Sequence, residues 1–216
     1  EAEAKAKRRL GLGITGLADA LLFCGAAYGS DTGVAMTERW LGVIRKAAYR
    51  TSALLAKEKG AFPLYDPAIL QQPNLRALDE ETRALIAEHG LRNGCLTSIA
   101  PTGTTSLLAG NVSSGIEPVF AYSYQRRILN PDGTERHEMV EDYALHVWRQ
   151  LKGDAVPPEE LFVSAQSLDP ATHVRMQAAA QTLIDSSISK TVNVPEDIDF
   201  TEFADVYRDG YNRGCK

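Results

Sequence analysis

The sequence is short of cysteine, of basic charge and of long apolar runs, and each shortage excludes a class of protein. Three cysteines occur in 216 residues, at Cys24, Cys95 and Cys215, with neither an even-numbered disulfide framework nor a CxxC metal motif. This usage indicates a reducing compartment, so we expect a cytoplasmic protein. The net charge of -5 disfavours a nucleic-acid partner. No apolar run reaches the roughly 18–20 residues that cross a bilayer, so we expect no membrane partner.

Both ends of the sequence resemble the interior of a longer chain. Residues 1–9 are charged and helix-forming, without the apolar core or cleavage site of a signal peptide. The sequence stops at Lys216, directly after a predicted helix, where a strand would be expected to follow. We therefore expect one α/β region over residues 1–216 that is truncated at both ends.

Predicted helices and strands alternate along the chain, which is typical of an α/β protein. Apolar spacing and capping residues predict long helices at about 31–60, with Asp31 as the N-cap, at 79–89, 135–150 and 201–213, and one that begins after Asp169. The helix predicted over 201–213 is expected to bury Phe203, Val206 and Tyr207. Predicted strands cover 95–99, 122–129 and 190–194, and Asn130-Pro131-Asp132-Gly133 is typical of a turn.

Two short motifs have a simpler interpretation than the function they suggest. GLGITG, residues 11–16, matches the glycine spacing of a dinucleotide-binding turn, but charged helical residues precede it where an apolar strand is required. Close packing of the turn against a helix explains these glycines better. HEMVEDYALH, from His137 to His146, lacks the histidine spacing of a zinc helix, so we expect no metal site. Cys24 and Cys95 have apolar neighbours and are expected to be core residues.

The run Pro101-Thr102-Gly103-Thr104-Thr105-Ser106 has the composition of an anion-binding turn. Free backbone N–H groups and hydroxyls at such a turn can donate to phosphate oxygens, and glycine permits close approach of the backbone. The run is not a Walker loop, because it has no Gly-Lys-Ser/Thr sequence. An ordinary helix N-cap remains the alternative on spacing alone.

Four segments, taken together, resemble the catalytic subunit of ribonucleotide reductase, in its class II, adenosylcobalamin-dependent form. They are RRLGLGITGLADALL (8–22), RNGCLTSIAPTGTTSLLAGNVSSGIEPVFAYSYQRR (92–127), HVRMQAAAQTLIDSSISKTVNVP (173–195) and DVYRDGYNRGCK (205–216). They follow the order of that family and span essentially the whole chain. Class I remains an alternative, since the choice of class depends only on the wording of these motifs.

The resemblance implies a fold, a reaction and a set of ligands. The fold is a ten-stranded α/β barrel of two five-stranded halves, with this chain as the C-terminal half and its long helices packed outside. The reaction is the reduction of ribonucleoside diphosphates to 2′-deoxyribonucleotides by thiyl-radical chemistry, with adenosylcobalamin as cofactor and a dithiol such as thioredoxin as reductant. Triphosphate substrates remain an alternative. The phosphate-binding residues implied are Pro101, Thr102, Gly103, Thr104, Thr105 and Ser106, and Asn193 is expected to point into the barrel.

The same resemblance implies that essential groups are missing. The family's radical cysteine and its redox cysteine pair precede the segment that corresponds to residues 8–22, so Cys24, Cys95 and Cys215 match none of them. We assign no catalytic residue, and we expect the chain alone to be inactive, to contact little of the cobalamin and to self-associate through its open edge. Two alternatives are a stand-alone nucleotide-binding module derived from the same barrel and an NAD-type oxidoreductase built on GLGITG.

Overall fold

Helices dominate the computed structural model, which describes residues 1–216 and contains only two regular strands. The helices are α1 (Ala2–Lys7), α2 (Leu17–Phe23), α3 (Asp31–Lys59), α4 (Pro73–Arg76), α5 (Glu80–His89), α6 (Gly103–Leu108), α7 (Tyr143–Lys152), α8 (Pro170–Gln181) and α9 (Phe200–Asn212). A 3₁₀ helix covers Pro67–Gln71, and the strands are β1 (Ser123–Leu129) and β2 (Glu135–Glu141).

The long helix α3 is where the sequence predicted it, but its N-cap is Ser30 rather than Asp31. The Ser30 hydroxyl accepts the N–H of Gly33 at 3.0 Å, and this bond satisfies one of the free donors of the first turn. Asp31 is the first helical residue and pairs with Arg175 instead. The helix ends at Gly60, whose φ of +78° suits a residue without a side chain.

Two hydrophobic cores lie along α3. The first joins α2, the first half of α3, α8 and neighbouring loops; its most deeply buried members are Leu21, Leu41, Ile116, Met176 and Ala180. The second joins the other half of α3 to α5 and the loops beside it; its most deeply buried members are Ala53, Leu75, Ile86, Leu91 and Leu96. Helix α3 therefore contributes to both cores, one along each half of its length.

Strands β1 and β2 form an antiparallel hairpin, so the helix predicted over 135–150 is wrong in its first half. The turn is the predicted one: Gly133 has φ +84°, and the Asp132 carboxylate accepts the N–H of Thr134 at 2.9 Å. Residues 135–141 pair with β1 along their length. Helix begins only at Tyr143, where the carboxylate of Asp142 accepts the N–H of Ala144. Cross-strand pairing outweighs the helix propensity of this segment.

Of the strands predicted from the sequence, 122–129 is present as β1, whereas 95–99 forms only a single parallel bridge, between Thr97 and Leu12. Leu12 donates its N–H to the carbonyl of Leu96 and accepts from Ser98. A Cβ at Gly13 would lie 2.1 Å from the Ser98 carbonyl oxygen. Gly11 and Gly13 are therefore required by a neighbouring extended segment and not, as expected, by a helix, whereas Gly16 has φ +78° and is the N-cap of α2. Residues 190–194 form no ladder, and the chain does not form a closed barrel.

The side chain of Asp185 joins the two cores through four hydrogen bonds. Its Oδ2 accepts the N–H groups of Leu96 at 2.9 Å and Thr97 at 3.1 Å. Its Oδ1 accepts from the Tyr49 hydroxyl at 2.6 Å and the Asn74 amide at 3.2 Å. The N–H of Asp185 donates in return to the Thr97 hydroxyl at 2.9 Å. These bonds hold residues 95–98 beside the segment that leads to Lys190.

Helix α9 buries none of its residues, so the burial predicted for it is wrong. Tyr207 is 69 % exposed and Phe203 38 % exposed, although their rings contact each other. The helix contacts α8, but Phe200, Tyr207 and Tyr211 leave a large apolar surface on it exposed. No helix of the chain is both long enough and apolar enough to span a membrane.

Candidate functional site

The loop of residues 101–106 turns sharply at Thr102. This residue has φ +52°, a left-handed conformation that is unfavourable for a residue with a branched side chain. Its hydroxyl does not cap α6. It accepts the N–H of Gly115 at 2.7 Å and lies 2.9 Å from the hydroxyl of Thr15. The strained turn is thus held by two other parts of the chain.

The other hydroxyl residues of the loop divide into a buried anchor and two exposed groups. Ser106 is buried, and its Oγ donates to the Gly103 carbonyl at 3.1 Å and lies 3.0 Å from the Oγ of Ser114. Thr104 and Thr105 are exposed. The N–H groups of Gly103, Thr104 and Thr105 make no hydrogen bond within the chain. Three adjacent backbone donors and two hydroxyls are therefore available to a ligand.

A groove of about 440 Å³ lies beside this loop. Of the predicted site residues, Gly103 and Ser106 line the groove, whereas Pro101, Thr102, Thr104 and Thr105 do not. A Cβ built on Gly103 would have no other atom within 4 Å, so the backbone there is open to close approach. The far wall includes Thr191 and Asn193, the latter predicted to face the interior of the barrel.

Glu117 and Lys190 form an ion pair beneath the groove. The Lys190 ammonium, whose side chain is fully buried, lies 2.5 Å from Glu117 Oε2, while Glu117 Oε1 accepts the N–H of Thr191 at 2.9 Å. Glu117 itself lines the groove, with its side chain a quarter exposed. Burial lowers the pKa of Lys190, and the Glu117 carboxylate opposes that change. The pair fastens residues 190–191 to the loop that carries Glu117.

His173 completes this buried cluster as a neutral imidazole. Its Nε2 lies 3.2 Å from the Ala165 carbonyl oxygen, to which it can only donate, and its Nδ1 lies 3.0 Å from the Lys190 ammonium, from which it accepts. Burial, and secondly the charge of Lys190, lower the pKa of His173. The imidazole therefore acts as an acceptor that satisfies the lysine without adding charge.

Two buried carboxyl groups, Asp19 and Asp142, meet at another wall of the groove. Asp19 Oδ2 accepts the N–H of Ser113 at 2.7 Å, but its Oδ1 has no partner among the donors of the chain. Asp142 lines the groove, and neither aspartate forms an ion pair. Burial, and secondly the charge of Asp19, raise the pKa of Asp142 to about 7. A proton on Asp142 would supply the donor that Asp19 Oδ1 lacks.

The exposed edge of the groove is one face of the β1–β2 hairpin. Tyr124 and Arg126 both line it, as the two-residue repeat of a strand requires. Arg127 points to the opposite face and pairs with Glu135 at 3.1 Å. Glu138, directly across the ladder from Arg126, pairs with Arg136 at 3.2 Å. Arg126 itself has no carboxylate partner.

The sequence analysis did not single out these charged residues as functional. A local signal existed for two of them, since Asp19 interrupts the apolar helix LADALLF and Lys190 lies between the buried Ile188 and a valine. Arg126 carries no such signal. The cysteines lie apart from the groove, and Cys24 is exposed, so its expected place in the core is wrong. No three His, Cys, Asp or Glu side chains gather as a metal site would require.

Comparison with known proteins assigns the chain to a family. The model of the ribonucleotide reductase barrel domain matches residues 1–216, and the chain belongs to that family. It is 35 % identical over 210 residues to a vitamin B12-dependent ribonucleoside-diphosphate reductase of Mycobacterium tuberculosis, covering 89 % of this chain and 28 % of that protein. It is 32 % identical over 225 residues to the enzyme of the same name from Thermoplasma acidophilum, covering 97 % and 27 %.

A third relative shows how much of such proteins the chain represents. A vitamin B12-dependent ribonucleotide reductase of Streptantibioticus cattleyicolor is 28 % identical over 260 residues, covering 98 % of this chain and 43 % of the relative. The chain thus spans between about a quarter and two fifths of the length of these relatives.

Proposed function

We propose that the chain is the barrel-domain part of a vitamin B12-dependent ribonucleoside-diphosphate reductase and that its 101–106 loop binds the phosphates of the substrate. The carrying observation is the row of unpaired N–H groups at Gly103, Thr104 and Thr105, beside a groove that Gly103 leaves open. Small hydroxyl residues and free backbone donors suit a polyanion that must be approached closely. Family membership supports the same assignment.

The residues of the loop divide the work of binding between them. In this proposal the N–H groups of residues 103–105 and the hydroxyls of Thr104 and Thr105 donate to phosphate oxygens. Thr102 and Ser106, with Pro101 before them, hold the loop in shape through Gly115, Thr15 and Ser114. A loop held in advance loses less conformational entropy when it binds a ligand. The phosphates then orient the ribose along the groove towards Glu117, Thr191 and Asn193.

We assign no chemical step of the reduction to this chain. In the proposal, the radical cysteine, the redox cysteine pair and the contacts to a reductant such as thioredoxin are supplied by other residues of the whole protein. Cys24, Cys95 and Cys215 lie outside the groove lining, which supports this division. The part played by residues 1–216 is to bind and orient the substrate, which alone does not abstract hydrogen from a ribose.

The groove does not fit adenosylcobalamin, the cofactor that the names of the relatives imply. At about 440 Å³ it is within the range of pockets that hold drug-sized ligands, about 300–1,000 Å³, and a corrin with its attached nucleosides is much larger. The donors at the loop also suit phosphate rather than a corrin ring. We therefore propose that the whole protein binds the cofactor mostly through residues other than these.

Two further parts of the proposal concern strand segments that lack a partner in this chain and apolar side chains that it leaves exposed. Residues 10–13, 95–99 and 190–194 would become strands of the ten-stranded barrel when the other half of the whole protein pairs with them. In the isolated chain, the apolar side of α9 remains exposed and favours self-association. We also propose a cytoplasmic location, because three scattered cysteines without a disulfide framework indicate a reducing compartment.

Gly103→Ala tests the phosphate-binding proposal. The added methyl group meets no atom of the chain and should leave the thermal midpoint unchanged or slightly raised, since alanine favours a helix. It would obstruct a phosphate held against the backbone, so we expect the affinity for CDP and for inorganic pyrophosphate, measured by calorimetry, to fall at least about tenfold.

Gly42→Ala is the matched control for this experiment. Gly42 lies in α3, and a Cβ there also meets no atom within 4 Å. We expect this variant to bind both ligands as the unmodified chain does. Equal affinity of the Gly103→Ala and Gly42→Ala chains would rule out the proposed site.

A further inference from the structure

Three charged side chains line the groove, and only one of them is a cation. Glu117 is negative, but the buried Lys190 ammonium lies 2.5 Å from it. Asp142 shares its wall with Asp19, and burial with that neighbour's charge favours its protonated form. Arg126 lines the same groove and pairs with no carboxylate of the chain. Arg126 is therefore the one cation of the groove lining, and no carboxylate of the chain occupies it.

The hairpin presents Arg126 to the groove by its strand geometry. Successive side chains of a strand alternate between faces, so Arg126 shares a face with Tyr124, and both line the groove. The Tyr124 hydroxyl lies 3.5 Å from the Asn111 side-chain oxygen, and the Asn111 amide donates to the Glu141 carbonyl at 2.7 Å. These contacts connect the hairpin to the loop that follows α6.

The carboxylates nearest to Arg126 have other partners. Glu138 lies opposite it in the ladder but pairs with Arg136, and Glu135 pairs with Arg127. A guanidinium without a partner is well suited to phosphate, because its N–H groups can donate two parallel hydrogen bonds to two oxygens. The loop at Gly103 offers neutral donors only, so a bound diphosphate would otherwise meet no cation of the groove lining.

We propose that Arg126 is a specificity-determining residue that binds the phosphate charge of the ligand held at Gly103. This inference rests on the proposed phosphate site and adds to it the charged group. It makes the groove select phosphorylated nucleosides over free nucleosides. Neutral donors alone bind many oxygen-rich ligands, whereas a cation contributes in proportion to the charge of its partner.

The test compares Arg126→Met with Arg127→Met in the 216-residue chain, using inorganic pyrophosphate, CDP and cytidine as probes. Both variants remove one arginine from adjacent positions of β1, on opposite faces. We expect Arg126→Met to weaken binding of pyrophosphate and CDP about 10- to 100-fold and to reduce the dependence of the affinity on salt. Arg127→Met should stay within about twofold, as expected for an exposed ion pair. Arg126→Lys should recover part of the loss.

The outcomes distinguish this inference from the proposed phosphate-binding function on which it rests. Failure of the unmodified chain to bind pyrophosphate or CDP overturns both proposals. Binding that Gly103→Ala weakens but that Arg126→Met leaves equal to Arg127→Met overturns only the role of Arg126. An equal loss for cytidine and CDP in Arg126→Met also overturns it, since cytidine carries no phosphate. Circular dichroism of each variant distinguishes a loss of binding from a loss of structure.

Discussion

The hydroxyl of Thr102 lies 2.9 Å from the hydroxyl of Thr15, 87 residues earlier in the chain, and the N–H of Gly115 donates to both. Three separate segments therefore meet at the residue whose backbone is left-handed. Without these bonds, the unfavourable conformation of Thr102 would have little to oppose its relaxation.

Thr15→Val should weaken this junction at nearly constant volume. The variant removes the partner of the Thr102 hydroxyl and of the Ser113 carbonyl, so we expect a loss of about 1–3 kcal/mol in the free energy of unfolding. Urea denaturation measures this value. Thr104→Val, at an exposed position of the 101–106 loop, should change the free energy of unfolding by less than about 0.5 kcal/mol. An equal effect of the two variants would contradict a structural role for Thr15.

Asp142 should make the stability of the chain fall as the pH rises from about 4 to about 7. Its pKa is raised from 3.8 to about 7 by burial and by Asp19, so the folded chain binds a proton that the unfolded chain releases at lower pH. Stability is then lost as the pH rises through this window and is constant above it. Urea denaturation at a series of pH values measures the change.

Asp142→Asn should remove most of this pH dependence. Asparagine is also a good N-cap, and its amide can donate to Asp19 Oδ1 at every pH, so the variant should be more stable than the unmodified chain at pH 8. Asp199→Asn replaces an exposed N-cap whose pKa is lowered by hydrogen bonds that it accepts from Thr201, and this variant should leave the fall in stability unchanged. A profile unchanged by Asp142→Asn would show that the shared proton does not exist.

Lys190→Met should be strongly destabilising, because it leaves the Glu117 carboxylate without its cation. We expect a loss of about 2–4 kcal/mol, somewhat less than for a fully buried pair because Glu117 is a quarter exposed. Adding Glu117→Gln should recover part of the loss, which a double-mutant cycle measures. Arg208→Met breaks the exposed pair with Asp205 and should have an effect below about 1 kcal/mol. Strictly additive effects of Lys190→Met and Glu117→Gln would argue against the ion pair.

Self-association of the isolated chain should depend on the exposed side of α9. Phe200 and Tyr211 are 79 % and 82 % exposed, and replacing both by serine should shift sedimentation velocity profiles towards monomer. Val43→Ser alters a residue 65 % exposed on α3 and should leave the profile unchanged. An unmodified chain that stays monomeric at all concentrations would disprove the predicted self-association.

The sequence predicted the long helices well and the strands less well, for a physical reason. Residues 31–59 carry a periodic apolar face, which is a local signal, although the prediction named Asp31 as the N-cap where Ser30 caps the helix. Residues 135–141 contain good helix formers, and only their pairing with β1 makes them a strand. Residues 190–194 alternate as a strand should, but they have no partner strand in this chain.

The candidate site was predictable where it depends on local composition. The Thr/Ser run and its open glycine are visible in the sequence, and the resemblance to ribonucleotide reductases is confirmed by the family match. The cluster of Glu117, Lys190 and His173 joins segments far apart in the chain, so spacing could not reveal it. The same is true of Asp19 and Asp142, which are brought together only by the packing of α2 beside α7.

The reciprocal bonds between Asp185 and Thr97 also give the chain an internal reporter of its folding. They close a loop of 88 residues, so they form only when both distant segments are in position. The amide protons of Leu96 and Thr97 both donate hydrogen bonds to the Asp185 carboxylate. They should therefore exchange with deuterium only when residues 96–97 separate from Asp185.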